Sequence, residues 1–184
     1  MALNGIRMGA GRWLTDSGQR EKVLVHSLRD NLHLVSDPRN LDSSVDEVFN
    51  MMLGVSCIVV PKTLVSDREI ITAVVGFGGL LSGACVFRSG GNAALKIAAN
   101  LTGMEFSEID DTVKDAIGEI CNMVAGAWKG KVPELSANCG LSIPAVITGR
   151  DYKLHVQAPE FSLDHTYRFE NSIFDVTIIC DGLQ

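Results

Sequence analysis

The chain has 184 residues, 46% hydrophobic and 21% charged, with 16 basic against 22 acidic side chains and a net charge of −6. One domain with a modest excess of chain is expected, long enough to bury a core without disulfide or metal staples. The composition excludes wholesale disorder. The acidic balance, with no Lys/Arg stripe, excludes nucleic acid as the main partner.

Residues 1–38 mix Gly, Arg and Ser with a weak apolar pattern at Leu24, Leu28 and Leu32, and end at Asp37-Pro38, a turn and boundary signal. They read as a partly disordered N-terminal extension with no apolar segment of a secretory signal, leaving 39–184 as the domain. Asp42, Ser43 and Ser44 offer N-cap chemistry for a helix through Leu53, closed by Gly54. A β-rich stretch, Val55–Phe87, follows. Within it Ile70–Phe87 carries no charge and approaches the length of a membrane span. Gly76, Gly78, Gly79 and Gly83 interrupt it, however, and its ends, Ile70–Val75 and Leu80–Phe87, have strand length and composition. A β-hairpin turning at Phe77-Gly78-Gly79 is the expectation, and a membrane span is not.

Ser89-Gly90-Gly91-Asn92 precedes a second helix, Ala93–Leu101, closed by Gly103. Ser107-Glu108-Ile109-Asp110 resembles a capping box opening the longest helix, 107–131, which stops before Pro133. Strand-like patterning returns from Leu141 to Cys180. This order predicts a two-layer α+β domain, an antiparallel or mixed sheet packed against helices. The five cysteines form no C-x-x-C pair and read as reduced core thiols of a cytosolic, hence cytoplasmic, protein. The four histidines form no zinc constellation with them.

One motif occurs twice. The long helix carries Glu119-Ile-Cys-Asn122-Met123-Val-Ala-Gly126, and the first helix carries Glu47-Val-Phe-Asn50-Met51-Met-Leu-Gly54. At 100° per residue Glu, Asn and Gly share one face, opposite an apolar stripe of Val113, Ile117, Ile120 and Val124 in the long helix. Val45, Val48 and Met52 are expected to do the same in the first helix. Each Glu/Asn pair therefore points away from the core. Carboxylate and carboxamide one turn apart supply an ion-pair anchor and a water-orienting group about 5–6 Å apart. Gly126 removes bulk on that face, so another backbone could approach closely. The plain alternative is an ordinary solvated surface.

The run Asp115-Ala-Ile-Gly-Glu119-Ile-Cys-Asn122-Met-Val-Ala-Gly126 resembles the active-site helix of the CheC/CheX family of chemotaxis phosphatases, its CheX branch in particular. Gly76–Gly83 with Ala84–Phe87 resembles the family's glycine-punctuated hairpin, Ala93–Ala98 the helix after it, and Ser142–Asp151 the strand after the active helix. The resemblance runs in order over roughly residues 41–182. It implies a CheC-like fold and action on the phosphorylated receiver domain of a CheY-like response regulator, in chemotaxis or another two-component pathway. Carried over, Glu119 docks against a receiver lysine and Asn122 holds the attacking water, with Gly126 and Met123 as close-approach and packing positions. The chain then needs no cofactor of its own, because Mg2+ belongs to the receiver. A homodimer joined sheet edge to sheet edge is implied too. Glu47 and Asn50 form a candidate second site, as in two-motif relatives, although a coincidental match on a structural helix is the favoured reading. The alternative functions are a non-catalytic receiver-binding adaptor using the same face and a structural domain of a larger assembly.

Overall fold

The computed structural model describes residues 32–63, 69–150, 152 and 159–183. Most of the extension expected at 1–38 therefore lies outside the described residues. In chain order the elements are α1 (Leu32–Val35), α2 (Pro38–Leu53), β1 (Ile58–Val60), β2 (Ile70–Gly79), β3 (Leu81–Gly90), α3 (Gly91–Thr102) and α4 (Asp111–Gly130). They continue as α5 (Pro133–Asn138), β4 (Cys139–Leu141), β5 (Ala145–Gly149), β6 (Phe161–Phe169) and β7 (Ser172–Leu183).

The sheet has the order β1-β6-β7-β3-β2, with β4 and β5 pairing successive lengths of the outer edge of β2; every pairing is antiparallel. The expected hairpin is its centre. Its strands run further than sequence suggests, and its tip lies at Gly79-Leu80 rather than Phe77-Gly78-Gly79. Gly79 has φ +112°, and a side chain there would collide with the Asn138 carbonyl oxygen, which accepts the Leu80 N–H at 3.0 Å. The tip is thus locked onto the end of α5, a short helix without an apolar period long enough to be read from sequence.

Helix boundaries depart from expectation where two capping signals compete. Asp37 caps α2 by accepting from Arg39 N, and Pro38 occupies the first turn, where its missing N–H costs nothing. Asp37-Pro38 is a helix start, and the hydroxyls of Ser43 and Ser44 bond back to the Asn40 carbonyl inside the helix. Asp110, rather than Ser107, caps α4 by accepting from Val113 N at 2.9 Å. Met52 is 40% exposed instead of buried.

The helices lie on one face of the sheet, α4 packing on β2, α2 and α3. Two aromatic groups set this layer. Phe49 of α2 stacks on Phe174 at 4.6 Å, with Phe87 and Phe169 around them. Trp128 of α4 meets Phe77 at 5.2 Å. Asp42 also ties α2 to β6, accepting from the Tyr167 hydroxyl at 2.8 Å and meeting His165 Nδ1 at 2.7 Å. Burial, then the Asp42 carboxylate, pushes the Tyr167 phenol pKa up, so it stays a donor.

Gly79→Ala is expected to lower stability by about 1–3 kcal/mol in chemical denaturation. Gly78→Ala, where a new Cβ meets nothing within 4 Å, should stay within about 0.5 kcal/mol of the parent.

Candidate functional site

The stripe Val113, Ile117, Ile120 and Val124 is fully buried, together with Cys121, whose Sγ lies 3.6 Å from the carbonyl oxygens of both Ala73 and Cys85. Burying that side turns the opposite face outward. Asp115 and Glu119 are exposed, Asn122 is half-buried, and Met123 is half-buried against the core. Among the described residues neither Glu119 nor Asn122 has a hydrogen-bond or ion-pair partner. The neighbouring Lys114 is engaged by Asp111 at 2.9 Å, which lowers the Asp111 pKa and raises that of Lys114.

Asn122 lies in a row with Gly118 and Gly126, each four residues apart on the helix. The edge of the sheet runs alongside this row. A Cβ on Gly118 would stand 3.3 Å from Pro144 Cβ and 3.4 Å from Val146 Cγ2, whereas one on Gly126 would meet only Leu141 Cδ1, at 3.9 Å. Gly118, not singled out from sequence, is thus the position of close approach. Gly126 tolerates a side chain as far as this chain's own packing goes. The repeated i, i+4 spacing of small residues beside Asn122 was the available signal.

The second copy of the motif sits differently. Glu47 and Asn50 are both exposed, but Glu47 Oε2 holds Lys131 Nζ at 2.6 Å, tying α2 to the residue just beyond α4. Its carboxylate is therefore engaged within the chain, and the motifs lie on separate helices with no contact between the two pairs among the described bonds.

Burial also sets the state of the cysteine thiols. Burial pushes Cys57 up to about 12 and Cys180 up to about 11. Cys85 is also well raised, by its contact with Cys121 and by burial, leaving these groups protonated at neutral pH. Among the described residues no group of three or more His, Cys, Asp or Glu is placed to hold a metal ion. None of their helices is long and apolar enough to cross a membrane.

Gly118→Val is expected to cost about 1–3 kcal/mol by overpacking against Pro144 and Val146, read by denaturant unfolding. Gly126→Ala should be neutral or stabilising by up to about 1 kcal/mol. At pH 8 the folded chain should react slowly with a thiol-alkylating reagent, and all five cysteines should react quickly once it is unfolded.

Residues 71–165, which include α4 with Glu119 and Asn122 but not α2, match the family described as chemotaxis phosphatase CheX. The chain is 34% identical over 122 residues to the CheY-P phosphatase CheX of Thermotoga maritima, covering 62% of this chain and 76% of that protein. Among solved structures it resembles the chemotaxis protein CheX of Vibrio vulnificus, with TM-score 0.66 and 18% identity over 79% of this chain and 97% of that one. It also resembles CheX in the CheX–CheY–BeF3–Mg2+ complex from Borrelia burgdorferi, with TM-score 0.62 and 20% identity over 78% and 97%. The chain belongs to the CheX family.

Proposed function

We propose that this chain is a protein aspartyl-phosphate phosphatase acting on the phosphorylated receiver domain of a CheY-like response regulator. The observation that carries this reading is the Glu119/Asn122 pair, side by side on the outer face of α4 and with no partner among the described residues. The name of the Thermotoga relative supports the same reaction.

Glu119 docks against a receiver lysine, an ion pair that orients the helix over the phosphorylation cleft. The Asn122 carboxamide, both donor and acceptor, holds a water in line with phosphorus. Water oxygen then forms a bond to phosphorus as the bond to the aspartyl oxygen breaks. The bonding pair stays on the released carboxylate, and phosphate leaves with the water's oxygen. Such a transfer asks the protein mainly for positioning and charge stabilisation, which suits a site built from one carboxylate and one amide. Mg2+ stays with the receiver in this reading. The site is on α4 alone, because Glu47 is already paired with Lys131. A homodimer formed through an open sheet edge is part of the proposal; the exposed Ile58 and Val59 of edge strand β1 offer one such edge.

With a phosphorylated CheY-like receiver, the chain should shorten the phosphoryl lifetime. Asn122→Ala should lower kcat about 100-fold or more, and Glu119→Ala should mainly raise KM. Asn50→Ala should leave both constants unchanged. Receiver binding without accelerated phosphate loss would make the chain an adaptor.

A further inference from the structure

We infer that Ile143 is a pre-formed docking residue for the receiver, beside the Glu119/Asn122 pair; this rests on the phosphatase reading above. Ile143 is 88% exposed, more than any other large hydrophobic residue among those described. An isoleucine held so fully in water buries nothing for the fold.

Its exposure is built by a bulge in the sheet edge. Leu141 pairs with Phe77, and Ala145 pairs with Val74, so three residues (142–144) stand opposite two (75 and 76). The extra residue is forced out of the ladder, and bulges of this kind re-aim side chains beside functional sites. Here the bulge is clamped on both sides. Ser142 N donates to the Gly76 carbonyl at 2.9 Å, Ser142 Oγ accepts from Gly76 N at 2.9 Å, and the same hydroxyl donates to the Ile143 carbonyl at 2.9 Å. On the far side, Pro144 lies against Gly118.

The placement joins Ile143 to the candidate site. Leu141 lies by Gly126, and Pro144 lies by Gly118, so the segment runs alongside α4 in the opposite direction. The Ile143 backbone falls between them along the chain, level with the turn that carries Asn122. The surface offered to a partner therefore combines an exposed apolar side chain on the sheet edge along α4 with the exposed carboxylates of Asp115 and Glu119 on the helix. Its occupant is a receiver presenting an apolar patch beside the lysine that meets Glu119. Because the backbone that carries Ile143 is clamped before contact, little backbone ordering opposes docking.

The test compares steady-state constants on a phosphorylated CheY-like receiver, with oligomeric state followed by sedimentation. Ile143→Ser should raise KM about tenfold with kcat within about twofold, and Ile143→Leu should restore KM. The control is Ile147→Ser. Ile147 is an exposed residue on the same edge that pairs with Thr72, on the sheet face opposite the helices, and KM should not move. Unchanged KM in Ile143→Ser, with an active parent, overturns the inference alone. A changed oligomeric state at unchanged KM also overturns it and assigns Ile143 to contact between copies of this chain. An inactive parent overturns the phosphatase reading, and this inference falls with it.

Discussion

The structure depends on how tightly α4 sits against the centre of the sheet. Its buried side contains no bulky residue where the backbones come closest. Cys121 rests against the carbonyls of two adjacent strands, and Gly118 lets Pro144 and Val146 approach a bare turn of helix. Trp128 closes the far end on Phe77. With that side fixed, α4 has no rotational freedom left, and Glu119 and Asn122 must face outward. Side chains carried on a rigid helix lose little backbone entropy on binding a partner, and in the proposed phosphatase reading positioning is the main thing asked of them.

The same packing brings the sheet edge alongside α4. β2 is edged by two short strands rather than one, and the irregularity where they meet lies between Leu141, which is by Gly126, and Pro144, which is by Gly118. The two E-x-x-N motifs consequently differ although their sequences agree. The Glu119 motif is flanked by a clamped bulge and keeps its carboxylate unpaired among the described residues. The Glu47 motif gives its carboxylate to Lys131, in a surface pair contributing about 0–1 kcal/mol to stability.

Long periodic features were legible in the sequence. The hairpin announced itself through strand-length, apolar runs broken by glycines, and α4 through an apolar stripe sustained over three turns. The outward face of Glu119 and Asn122 followed from that stripe. Local signals failed at two helix starts: Asp37-Pro38, which reads as a turn and boundary, caps and opens α2 ahead of Asp42–Ser44, and Asp110 rather than Ser107 caps α4. Features set by distant partners were not legible. Lys131 lies 84 residues from Glu47. The bulge at Ile143 exists only because Leu141 and Ala145 register against residues of β2 about 70 positions earlier. Met52 follows an apolar period in the sequence, but Val48, Phe49 and Leu53 take the buried side of the helix and leave it 40% exposed.

The central claim is that one composite surface, α4 with the 142–144 bulge, meets the receiver. Amide chemical shifts of the labelled chain, followed while a CheY-like receiver loaded with beryllium fluoride and Mg2+ is added, test it most directly. The account predicts changes concentrated at residues 115–126 and 141–144, with residues 47–54 unmoved. Changes centred on 47–54, with α4 silent, would contradict it.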